Sequence, residues 1–310
     1  MPDQGRRPGP SRAGGRGGAT GGAGAKGRGR SSGDGRPGPA EDPPFSRARG
    51  DDRRFGPRRD DRRERRGASD ERSRSAEQAT YDGPPIEDGI TGRELDRSVA
   101  QQLRGLPEKL AARVARHLVA AGMLLDTDPR TAYQHTLAAR GRAARIAVVR
   151  EACGEAAYAA GEYAEALSEL RAAKRMNGSQ AYLAVMADCE RALGRPDRAL
   201  ALARNPAVAA FEPALKAEMT IVEAGARRDR GEIDAALRTL ESAPLRSKSR
   251  ADWVVRLRYA YADTLLAAGR TPEAREWFHR TVAVDGDQIT DAADRVADLE
   301  RVERDGPSGP

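Results

Sequence analysis

Residues 149–175 read VREACGEAAYAAGEYAEALSELRAAKR, and two amphipathic helical patterns meet in them at Gly161-Glu162. Gly154 on the first pattern and Ala166 on the second stand where two helices joined by that turn would have to touch. A unit of this kind buries its apolar face only against a neighbour, so the decisive question is whether it recurs.

It does. Turn residues fall at Thr127, Gly161, Gly194, Gly231 and Gly269, at intervals of 34, 33, 37 and 38 residues. Seven residues before each turn stand Ala120, Gly154, Ala187, Ala224 and Ala262. Five residues after each stand Ala132, Ala166, Ala199, Ala236 and Ala274. Two antiparallel helices joined by a short turn approach most closely near it, and only small side chains fit at that crossing. The register therefore reads as about five helical hairpins over residues 107–287, in an all-α chain.

Outward from the repeat, a leading helix is expected within residues 84–106. Thr91-Gly-Arg-Glu94 has capping-box spacing, and Leu95, Val99 and Leu103 follow at helical intervals. The longer third and fourth intervals place extra residues in loops near Asn205–Pro213 and Ala243–Ala251. Residues 288–304 read as a polar capping helix with Ala292, Val296 and Leu299 on one face, followed by a tail over 305–310.

The period, the small residues and turns such as AAGEYAEAL and AAGRTPEAR resemble the tetratricopeptide repeat, over roughly residues 107–285. Cys153-Gly154, Gly161-Glu-Tyr163 and Ala166 carry the likeness best, followed by Ala262, Gly269, Ala274 and Phe278. The first repeat departs from the pattern, with Thr127-Asp-Pro129 in place of a glycine turn. With its Arg/Gly-rich leader the chain is similar to actinobacterial proteins of this repeat class. The resemblance implies a right-handed superhelical solenoid in which the first helix of each hairpin lines a concave groove.

By offset from the turns, the groove would hold Glu151, Glu155, Tyr158, Asp188, Arg191, Glu218, Arg228, Arg256, Tyr259 and Asp263, with His117 and Leu124 at its opening. Families of this class that clamp a C-terminal carboxylate use Lys, Arg and Asn at such places. Glu151, Glu155 and Asp188 stand here instead, which implies a basic or amphipathic peptide or protein as partner.

Charge divides the chain. Residues 1–80 carry 20 Lys and Arg against 12 Asp and Glu, and the remaining 230 residues carry 34 against 35. The pI of 9.7 thus describes the leader. Residues 1–83, with Gly/Arg tracts and mixed-charge blocks, are expected to remain disordered, because they cannot bury enough surface to offset chain entropy. Arg/Gly-rich segments bind phosphate, so an RNA- or ribosome-associated factor is the alternative reading. Only Phe55 is interleaved with those arginines, and the acidic groups dilute them.

Little else carries chemistry. Gly22-Ala-Gly-Ala-Lys-Gly27 and Gly29-Arg-Ser-Ser-Gly33 match the dinucleotide fingerprint and the nucleophile elbow without the strand and helix those sites need. Cys153 and Cys189 fall inside helical segments and read as buried free thiols. His117, His135 and His279 are dispersed in sequence, which argues against a metal site and leaves them as ordinary surface or groove positions. No nucleophile–base set stands out, and no apolar run approaches the ~18 residues of a membrane span. The expectation is a cytoplasmic, non-catalytic protein-binding scaffold without cofactor, of undetermined oligomeric state.

Overall fold

The structure, a computed structural model, describes residues 83–305. The expectations placed on residues 1–82 and 306–310, among them the leader and its phosphate chemistry, lie outside those residues. The described residues form twelve α-helices and two 3-10 turns, with no strand. None of these helices is long and apolar enough to cross a membrane.

The helices are α1 (Arg97–Gln102), α2 (Glu108–Leu124), α3 (Pro129–Ala143), α4 (Ala147–Ala159), α5 (Tyr163–Asn177) and α6 (Leu183–Ala192). Then follow α7 (Pro196–Ala203), α8 (Pro213–Asp229), α9 (Ile233–Glu241), α10 (Asp252–Ala267), α11 (Thr271–Val282) and α12 (Ala292–Asp305). From α2 onward each helix packs most heavily on its neighbours in the chain, pairing as α2–α3, α4–α5, α6–α7, α8–α9 and α10–α11. Contacts two helices apart join α6 to α8 and α8 to α10. Proline in the first turn starts α3, α7, α8 and α11, where its missing N–H costs nothing.

Four of the five hairpin turns close alike. Gly161, Gly194, Gly231 and Gly269 have φ between 71° and 81°, a left-handed backbone that glycine adopts without a Cβ penalty. The next residue's N–H then reaches back five residues: Glu162 to the Ala157 carbonyl at 2.8 Å, Arg195 to Glu190 at 2.8 Å, Glu232 to Arg227 at 2.9 Å and Arg270 to Leu265 at 3.0 Å. The first turn solves the problem differently. Asp128 caps α3 by accepting from the Thr131 N–H at 3.1 Å, with Pro129 just inside the helix.

All ten small residues of the register are buried. Gly154 gives the reason most directly. A Cβ built there would stand 2.6 Å from both Cγ and Cδ2 of Leu170, so α4 and α5 touch only because that atom is missing. Leu170, Leu240 and Phe278, nine residues after their turns, fill the space beyond the crossings and are buried to within 1%.

The leading segment differs from expectation. Thr91 and Glu94 do bond, with the Thr91 N–H donating to Oε1 at 3.1 Å, but they close a turn rather than start a helix. The helix is only α1, capped by Asp96, whose carboxylate accepts from the Ser98 N–H at 2.7 Å. Residues 83–96 lie instead against α2: Ile90 packs on Val119 and Ala120, and Arg116 Nε donates to the Ile90 carbonyl at 2.6 Å. At the other end α12 begins at Ala292 rather than near Gln288, and Ala292 and Val296 pack into the cluster built around Leu240, Leu265 and Phe278.

Two helical glycines should respond oppositely to alanine. Gly122 in α2 has open space where a Cβ would go, so Gly122→Ala should stabilise by about 0.5–1 kcal/mol through helix propensity. Gly154→Ala should lose that gain to Leu170 and end destabilised, and Ala166→Leu should cost about 1–3 kcal/mol by overpacking. Urea unfolding of the three variants checks the signs, and a stabilised Gly154→Ala would contradict the close approach.

Candidate functional site

Three residues before a turn and six residues before the next turn are neighbours across adjoining hairpins. Tyr158, three before Gly161, donates its hydroxyl to Asp188 Oδ2 at 2.6 Å, and Asp188 is six before Gly194. Arg228, three before Gly231, donates to Asp263 Oδ2 at 2.6 Å, and Asp263 is six before Gly269. Between them the same register pairs Arg191 with Gly225. There the side chain is absent, and the Arg191 guanidinium occupies the place a Cβ would take. Gly225 thus lets Arg191 lie flat on α8, where Nε and Nη2 reach Asp229 at 2.8 and 3.2 Å while Nη1 donates to Asp188 at 2.9 Å.

The ladder continues to α12. Asp263 Oδ1 accepts from Arg295 of α12 at 2.6 Å, and Arg256 donates to Glu218 at 2.7 Å across α10 and α8. Tyr259 stacks edge-on against Phe278 at 5.5 Å between ring centres. Eight of the ten sequence-selected residues therefore act first on one another or on the core. Asp188 is buried and the others half-buried, a setting in which paired charges must satisfy each other or be strongly penalised.

Glu151 and Glu155 are different. They sit one turn apart on α4, and neither pairs with a cation among the described residues. Glu151 accepts from Asn177 Nδ2 at 2.7 Å. Glu155 faces Tyr182, and burial raises its carboxyl above the usual range, with the Tyr182 hydroxyl lowering it and Glu151 raising it further. Burial likewise raises the Tyr182 phenol, reinforced by Glu155. Asp188, expected to add to this acidity, is neutralised by Arg191.

Offset reasoning missed Asn177, Tyr182, Gly225, Asp229 and Arg295. Gly225 carried a signal: a glycine inside a helix is costly, and it stands at the position held by Asp188 and Asp263 in the flanking hairpins. Asn177 ends α5 and Tyr182 precedes α6, both beyond the offsets that the turns define.

The histidines also need correction. His117 and His135 are far from ordinary surface or groove positions: both are buried, and their Nδ1 atoms stand 3.1 Å apart. One ring must donate to the other, so at least the accepting ring is neutral. Burial, then the charge of His135 and of Arg142, Arg113 and Arg116, pushes His117 down to about 4, and burial lowers His135 too. His279 is exposed, 3.3 Å from Glu300. Among the described residues no three His, Cys, Asp or Glu groups gather as metal ligands. Cys153 and Cys189 are free and buried, and burial pushes both thiols up to about 12, far from thiolate reactivity.

A scan against protein-family models finds no match, and a search of curated proteins finds none either.

The histidine pair sets a pH dependence. Its folded-state pKa lies below that of the unfolded chain, so protons load the unfolded state first as pH falls through about 6.5. Stability should drop progressively between about 6.5 and 4, by on the order of 2–3 kcal/mol, in thermal melts of the full chain. The His117→Gln/His135→Gln variant should show a shallower slope over that window; an unchanged slope would assign the acid sensitivity to carboxylates alone.

Proposed function

We propose that this chain is a tetratricopeptide-like solenoid that binds a basic or amphipathic segment of a partner protein, without catalysis. The observation that carries this reading is the Glu151–Glu155 pair. Asp188, Glu218 and Asp263 each meet an arginine, Asp188 sharing Arg191 with Asp229, whereas these two carboxylates are held half-buried beside Tyr182 with only neutral partners. Two such carboxylates repel, and a Lys or Arg from a partner relieves the repulsion. The phenol rings of Tyr158 and Tyr182 flank the place and offer amphipathic surface of the kind enriched in protein interfaces. The hairpin register and the packing of each hairpin on the next support the solenoid part of the reading.

The rest of the ladder then has a mechanical role. Its crossed pairs hold adjoining hairpins in register, so the acidic place is presented by a preorganised surface rather than assembled on binding. A nucleic-acid partner recognised through residues 1–82 is the competing reading, and it rests on composition alone.

Titration of the full chain with Lys/Arg-containing amphipathic peptides distinguishes the two. Glu151→Gln/Glu155→Gln should weaken peptide binding about tenfold or more, in keeping with the ~1.5–3 kcal/mol of hydrogen bonds to charged groups. Arg228→Gln, remote from the acidic place, should leave binding nearly unchanged. Partners released by nuclease rather than by the glutamate variant would favour the nucleic-acid reading.

A further inference from the structure

A second charged place lies on α5 and the turn into α7, on helices that do not carry the ladder. A cleft of about 220 Å³ opens there, floored by Leu167 and Leu193 and walled by Ser168, Arg171, Arg175 and Arg195. Ser168, Arg171 and Arg175 recur three and four residues apart on α5, so one helix face delivers all three. Arg195 arrives from the turn, as the residue that caps α7.

No acidic side chain lines the cleft. The nearest compensation is Glu190, wholly buried on α6: Arg171 Nη2 donates to its Oε1 at 2.5 Å, and Arg195 Nη1 stands 3.5 Å from its Oε2. Arg175 is exposed and has no hydrogen bond or ion pair with any described residue. Arg171 and Arg195 thus share one carboxylate and Arg175 has none, which leaves two positive charges in excess. Like charges one turn apart on a helix cost a few tenths of a kcal/mol and are not gathered for stability. Planar guanidinium donors converging on one cleft match the geometry of a tetrahedral oxyanion.

We infer that this cleft binds the phosphate group of a small molecule. Arg175 and Arg195 take the oxyanion, Ser168 supplies a hydroxyl donor, and Glu190 holds Arg171 in place beside them. The volume falls below the ~300–1,000 Å³ of pockets that enclose a drug-sized ligand, so one or two phosphate groups enter and the rest of the molecule stays outside.

The test is calorimetric titration of the full chain with inorganic phosphate and with pyrophosphate at low ionic strength, against sodium chloride of equal ionic strength. Pyrophosphate should bind saturably and more tightly than phosphate. Arg175→Gln should weaken it about tenfold while leaving the circular dichroism and melting temperature unchanged, since Arg175 holds nothing else in place. Arg195→Gln should weaken it as well. Absence of saturable binding above the chloride control would overturn the proposal. So would binding that is unaffected by Arg175→Gln, which would place the phosphate on the arginines of residues 1–80.

Discussion

The contact between two helix backbones beside each turn is the constraint on which the rest of this structure depends. It is tightest between α4 and α5, where the missing Cβ of Gly154 makes room for Leu170. Alanines meet the same demand in the other hairpins, buried on both sides of every crossing. Once the crossing is fixed, the left-handed glycine and its reach-back hydrogen bond follow as the shortest way to join helices that close. Larger residues one turn further on then fill the widening gap, and their packing, rather than local propensity, stabilises helices as short as α7 and α9.

The same spacing decides the electrostatics. Across turn-to-turn intervals of 33, 37 and 38 residues the third residue before one turn lies beside the sixth before the next, and the chain places tyrosine, arginine, aspartate and glycine there in matched order. Elsewhere two carboxylates are buried outright and clasped from both sides: Glu169 by Arg140 and Arg150, Glu190 by Arg171 and Arg195. Ion pairs of this kind add little net stability, since desolvation offsets most of the attraction. Their geometric effect is larger, because removal of one partner strands a buried charge. The Arg140–Glu169 and Arg171–Glu190 pairs cross between hairpins and therefore penalise slip of one past the next. Against that background the surplus charges stand out, negative at Glu151 and Glu155, positive around Arg175.

Much of the helical pattern was legible before any coordinates. The turns, the small residues and the extra length between α7 and α8 follow from periodicity, because packing at a crossing demands a residue type and not a particular partner. The leading helix was misjudged for a related reason. Thr91 and Glu94 have the spacing of a helix cap, but the same pair also closes an isolated turn, beside which Ile90 packs on Val119 and Ala120. The dispersed histidines were misread because sequence separation hides the fact that His117 and His135 face each other across the first hairpin.

By itself, then, the sequence determined where helices stop, which residues are small at the crossings and which face is polar. These are properties of one residue and its offset from a turn. Only the tertiary structure decided which polar residues are already committed. Asp188 and Glu155 occupy the same offset and look alike in sequence, yet one is neutralised by Arg191 and the other meets only Tyr182. Arg191 stands three residues after Asp188 on α6, where Glu155 is followed by Tyr158, and Gly225 on α8 leaves the space in which that guanidinium also reaches Asp229; this last dependence between two hairpins has no signature in the spacing of either.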